Sequence, residues 1–160
     1  MEKVSANNEI EKTILIIDDK QINIDFLSNS LKREGFRVIS AKDENTAINS
    51  AKVKQPDLIL LDAHMPEKNG FEICVELKKI EELTNIPVIF MLSKTDNKYF
   101  TQCYSSGGAD FVCKPYNIQV LVNRIRTHIE LRELREKMLP PSKRRKQQKP
   151  LSELIKMVSF

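Results

Sequence analysis

Short apolar, β-rich runs alternate with stretches of helical period five times along the chain, and few folds accept that rhythm. The runs are Thr13–Ile17, Phe36–Ser40, Asp57–Leu61, Ile86–Leu92 and Ala109–Cys113. The helical stretches lie near Gln21–Glu34, Glu44–Lys54, Asn69–Leu83, Asp96–Ser106 and Asn117–Met138. Strand–helix alternation predicts a parallel sheet with helices on both faces. Val88-Ile89-Phe90-Met91-Leu92 shows no polar alternation, which suits a strand covered on both sides. Gly35 is placed to end the first helix, Asp43 to cap the second, and Thr95 or Asp96 the fourth. Five such units and right-handed crossovers fit a flavodoxin-like (βα)5 doubly wound α/β fold, order 2-1-3-4-5, with an extended C-terminal helix.

In such a sheet, ligands bind beyond the carboxyl ends of the strands, beside the switch between strands 1 and 3. Asp18-Asp19 follows the first run, and Asp62 closes the third. Ser93 follows the fourth and Lys114-Pro115 the fifth, on the same edge. Crowded carboxylates repel one another. A hard divalent cation removes the conflict, and Mg²⁺ prefers such oxygen ligands. Asp62 then reads as a nucleophile toward a phosphoryl group, with Lys114 and the Ser93 hydroxyl serving its oxygens.

Asp18-Asp19, Asp62 with Met65-Pro66 and Gly70, Ser93, Phe111 and Lys114-Pro115 stand in one order. In this set the chain resembles the receiver domains of two-component response regulators over about residues 13 to 129. The 2-1-3-4-5 order is the family's own, so it is no independent inference. The resemblance implies a histidine kinase as phosphodonor, Asp62 as phosphoacceptor, and Mg²⁺ held by Asp18, Asp19, Asp62 and the His64 backbone carbonyl. It implies Ser93 and Phe111 as the switch pair, and signalling through the face of helix 4, strand 5 and helix 5. It implies a switch with slow self-dephosphorylation rather than a turnover enzyme. The resemblance also implies that His64 stands where the family tunes water access to the acyl phosphate. Lys94 stands where the family usually has Ala or Gly, and is expected to narrow access to the phosphoryl group or add a contact. Otherwise, His64 reads as a loop residue and His128 as a helix-surface residue.

Three other readings fit less of the chain. A haloacid-dehalogenase-type phosphatase needs a DxD motif after the first strand, where this chain has Asp18-Asp19-Lys20. A receiver-like binding module without a phosphoryl cycle would leave Asp18, Asp19, Asp62, Ser93 and Lys114 unexplained. A nucleic-acid binder would act through the tail, which has no aromatic residues interleaved for base stacking.

Charge is unevenly placed. Lys137 to Phe160 holds seven Lys/Arg and one acid, while the rest holds 19 bases and 21 acids. The leader, residues 1–12, has no apolar core of a signal peptide, and the expected location is cytoplasmic without membrane attachment. Cys74, Cys103 and Cys113 show no metal spacing and read as free thiols. Beyond Ile129, Leu131, Leu134 and Met138 form a second stripe among charged residues, suiting a stalk that pairs with another copy. Residues 130–160 are thus expected to be a stalk and basic tail, possible start of a linker to an output domain. A homodimer through this stalk or the face of helix 4, strand 5 and helix 5 is the expected assembly.

Overall fold

The computed structural model describes residues 10–93 and 97–144. Lys94, Thr95 and Asp96 lie outside them, as does the tail beyond Arg144, so the expectations for Lys94, the fourth helix cap and most of the basic segment fall there.

The strands are β1 (Thr13–Ile17), β2 (Arg37–Ala41), β3 (Leu58–Asp62), β4 (Val88–Leu92) and β5 (Asp110–Cys113). The helices are α1 (Gln21–Arg33), α2 (Glu44–Lys54), α3 (Gly70–Lys78), α4 (Asn97–Ser105) and α5 (Ile118–Lys137). All pairings are parallel, in the order β2-β1-β3-β4-β5. This is the expected flavodoxin-like sheet. β1 matches the sequence reading, and the other strands differ from it by one or two residues at one or both ends, because pairing rather than apolarity sets where a ladder begins.

β3 is buried throughout. Leu58 and Leu60 face one core with Ile14, Ile16, Ile89 and Met91, under α1 and α5. Ile59 and Leu61 face the other with Leu15, Ile17, Val88 and Phe90, under α2, α3 and α4. Each face removes a continuous apolar layer from water, at about 25 cal/mol per Å².

Local chemistry sets the helix ends. Asp43 accepts the Thr46 N–H and caps α2, as expected. Gly35, at φ +94°, follows the end of α1 in the left-handed region that glycine adopts without penalty. Asn69 caps α3 through a reciprocal pair with Glu72.

One helix was expected over Asn69–Leu83, but α3 ends at Lys78, and Glu81–Leu83 form a separate 3-10 turn. The Lys78 ammonium donates to the carbonyls of Thr84 and Ile86, and the Thr84 hydroxyl donates to those of Lys78 and Ile80. These bonds fold the chain back and bury Leu83 against the sheet.

α5 packs through Leu121, Val122, Ile125 and Ile129, with Ile118 half-buried beside them. Arg132 bonds toward the Pro56 and Asp57 carbonyls and Glu133 pairs with Lys12, so the helix stays tied to the body one turn past Ile129. Leu134 and Met138 beyond are exposed.

His128 is not a plain surface residue. Its Nε2 lies 3.0 Å from Asp110 on β5, whose carboxylate also takes two bonds from Arg124. Burial alone would raise the Asp110 carboxyl, but bonds from His128, the Phe111 N–H and Arg124 outweigh it and hold it below 3.8. A lowered carboxylate stabilises above its unfolded value and loses that contribution as pH falls through the folded one. Asp110→Asn is therefore expected to cost about 1–2 kcal/mol at neutral pH. In denaturant titrations its deficit against wild type shrinks as pH drops below 3.8.

Candidate phosphoacceptor site

Parallel register brings the site together. Ile17 pairs with Leu61, so Asp18 lies beside Asp62 where the two strands end. Asp62 pairs with Met91 on β4, and Leu92 pairs with Cys113, which places Ser93 and Lys114 next along the same edge. Asp18, Asp19 and Asp62 each offer a carboxylate oxygen within 4.8 Å of the others. Lys114 Nζ stands 3.8 Å from Asp62 Oδ1 and precedes a cis peptide to Pro115.

Each carboxylate is held differently. Asp18 is 1% exposed, and its two oxygens accept from the Lys20 N–H and the Asn23 side-chain amide. Asp62, 4% exposed, accepts the His64 N–H at 3.3 Å. Asp19 Oδ1 is buried without a hydrogen-bond partner among the described residues. Burial raises the Asp62 carboxyl above its ordinary value; Lys114 pulls it down, and Asp18 and Asp19 push it up again.

Three acids against one lysine leave an excess of negative charge at the strand ends. The orphaned Asp19 oxygen and the clustered donors fit a hard divalent cation, which takes oxygen ligands and tolerates water in the remaining positions.

Ser93 follows β4 and is exposed. Phe111 lies away from the carboxylates, half-buried, stacked on Phe100 of α4 at 4.5 Å and meeting Tyr104 edge-on at 6.0 Å. The His64 ring is no free loop side chain: it packs edge-on against Tyr99 at 4.8 Å and Phe71 at 6.3 Å.

Two features escaped the sequence reading. Lys68 on the loop after β3 pairs with Glu44 at the start of α2 at 2.7 Å. The pair lines a cleft of about 600 Å³ that has Asp19, Lys42, Met65 and Ile73 among its walls. Tyr116, next to Pro115, is pushed up to about 12 by burial and by Asp18. Neither had a signal in the sequence, because each depends on loops from different strands meeting.

The profile of the response regulator receiver domain family matches residues 14–126. The chain belongs to that family. It is 33% identical over 127 residues to a probable cyclic di-GMP phosphodiesterase of Vibrio cholerae, covering 79% of this chain and 29% of that protein. It is 35% identical over 117 residues to protein RcaC of Microchaete diplosiphon, covering 73% of this chain and 18% of that protein. The chain thus spans less than a third of either relative. Among solved structures, the receiver domain of a Pseudomonas aeruginosa sensor histidine kinase shares the fold, with TM-score 0.70 and 24% identity. The match covers 76% of this chain and 99% of that one, whose structure holds a magnesium ion in its active-site cleft.

No described helix is long and apolar enough to cross a membrane. Burial pushes Cys74 up to about 11 and Cys103 up to about 12, keeping both as protonated thiols.

Proposed function

We propose that the chain is a phosphorylation switch in which Asp62 accepts a phosphoryl group from a histidine kinase. The observation that carries this reading is the buried Asp62 carboxylate, flanked by Asp18 and Asp19 and faced by Lys114 at 3.8 Å. An Asp62 oxygen attacks phosphorus in line: an O–P bond forms, the donor's N–P bond breaks, and the imidazole leaves to take a proton from water.

Asp18, Asp19, Asp62 and the His64 carbonyl are the residues that would hold Mg²⁺. When bound, Mg²⁺ neutralises phosphoryl oxygens and the crowded acids. Lys114 serves a second oxygen and the Ser93 hydroxyl a third. Ser93 and Phe111 then shift the face of α4, β5 and α5, which addresses a partner or an output domain of a longer chain. The chain acts as a slowly self-dephosphorylating switch rather than a turnover enzyme, in the cytoplasm where histidine kinases present their phosphoryl groups. A homodimer through that face or through α5 is the assembly this reading favours.

Intact-mass measurement after incubation with acetyl phosphate tests the reading. The wild type is expected to gain one phosphoryl group only with Mg²⁺ present. Asp62→Asn gains none, and Lys114→Ala gains it more slowly by roughly 10²-fold. A wild type that stays unmodified with Mg²⁺ present would overturn the proposal.

A further inference from the structure

We infer that His64 is a positioning residue that carries the state of Asp62 to α4 through ring contact with Tyr99, in parallel with Ser93 and Phe111. The inference rests on the reading of Asp62 as phosphoacceptor. It assigns the imidazole a role its neighbours in the chain do not suggest.

The backbone end of the link is a single bond. The His64 N–H donates to Asp62 Oδ1 at 3.3 Å. Converting that carboxylate into an acyl phosphate changes its charge and adds bulk beside it, so the bond to the His64 peptide must readjust.

The side-chain end is a packed ring. The imidazole stands nearly perpendicular to Tyr99, at 78° and 4.8 Å, and to Phe71, at 83° and 6.3 Å. Tyr99 and Phe71 are themselves parallel within 7°, 6.2 Å apart. Edge-to-face geometry of this kind is favoured by the ring quadrupoles. His64 Nε2 is buried and has no hydrogen-bond partner among the described residues. Among the described residues the ring is thus held by its aromatic contacts, and a desolvated nitrogen without a described partner opposes its placement there.

The two aromatic neighbours differ in freedom. Phe71 is buried on α3 and lies 5.0 Å from Phe90, which is fully buried in β4. Tyr99 is half-buried in the first turn of α4, with Lys98 Nζ over its ring at 5.1 Å. A displaced imidazole thus meets a fixed wall on one side and a surface helix on the other. The next residue, Phe100, stacks on Phe111. The first turn of α4 is consequently held at two points, one leading to the phosphoacceptor loop and one to β5.

Amide spectra of the ¹⁵N-labelled full chain, with Mg²⁺ alone and with Mg²⁺ plus beryllofluoride, test this link. Beryllofluoride serves as the probe because it mimics an aspartyl phosphate without a donor. In the wild type, shifts are expected at Ala63 and His64 and across α4. In His64→Ala, the Ala63 shift persists while those of α4 are diminished, most at Tyr99 where the ring contact is made, although the spectrum without beryllofluoride still shows a folded protein. Tyr99→Leu diminishes the α4 response likewise. His64→Phe restores the α4 response, since a phenyl ring keeps the edge contact and nothing bonds to Nε2. A merely structural role would not produce that rescue. An undiminished α4 response in His64→Ala, or a failed rescue by His64→Phe, overturns the inference while the Ala63 shift still upholds the phosphoacceptor reading. No beryllofluoride shift at Ala63 in the wild type overturns both.

Discussion

Gly70→Ala is expected to destabilise the fold by roughly 3 kcal/mol, the upper end for adding a methyl group to a packed interior. A Cβ at this position would meet the Asp62 carbonyl oxygen at 2.2 Å and the Ala63 Cα at 2.9 Å. Those neighbours are backbone, so no side-chain rotation relieves the clash. The Gly70 N–H also donates to the Ala63 carbonyl at 2.9 Å, which fixes how closely α3 approaches the end of β3. The helix start has little room to retreat, because Phe71 and Ile73 of the same helix are buried in the core under the sheet. A drop in melting temperature of roughly 10 °C follows for a domain of this size. The same displacement moves the Asp62 peptide, so phosphoryl uptake by the folded fraction should fall together with stability. Thermal unfolding followed by circular dichroism, paired with the intact-mass assay, reads both effects. An unchanged melting temperature would mean that α3 can slide away from β3.

Phe90→Ala is expected to cost about 3–5 kcal/mol, the range for removing a buried aromatic ring. Phe90 is 0% exposed in the centre of β4. Its ring packs against Phe71 at 5.0 Å. It also fills the space beside Gly108, where an added Cβ would meet its ring carbons at 2.6 and 2.8 Å. The ring therefore touches α3 on one side and the turn before β5 on the other, and neither can collapse without breaking sheet pairing. Phe90→Leu, which keeps most of the volume, should lose less than about 1.5 kcal/mol. Urea denaturation of both variants checks the order. Equal losses would show that shape, not volume, governs this part of the core.

The reach of sequence reasoning differs residue by residue. Asp18, Asp19, Asp62 and Lys114 were legible because each interrupts an apolar run, and a charge at the end of a buried strand is conspicuous. Parallel pairing then had to bring them together, and it does so within 4.8 Å for the acids. Ser93 was placed just after the fourth strand and Phe111 within the fifth with equal ease, but their surroundings were not legible. Whether Phe111 packs against α4 depends on the angle at which that helix meets the sheet. The break after Lys78 was hidden for a related reason. The residues from Asn69 to Leu83 keep a helical pattern, and only the Lys78 bonds to carbonyls beyond the helix reveal the stop.

His128 and His64 show where local reading fails. Each looks like an isolated polar residue along the chain. One proves to pair with Asp110, eighteen residues earlier, and the other to sit among rings contributed by α3 and α4. The pairing of Lys68 with Glu44 likewise joins loops that follow different strands.

The amino-acid order by itself determined the strand–helix alternation, the covered strand faces and the four charged residues at the strand ends, because periodicity and strand ends are local properties that solvent exclusion acts on directly. Only the tertiary structure decided what those residues touch. The partnerless Asp19 oxygen, the ring contact between His64 and Tyr99, and the close approach of Gly70 to the Asp62 carbonyl arise where separate elements meet. Such contacts depend on helix placement to within about an ångström in a close-packed interior, a precision that no pattern along one chain encodes.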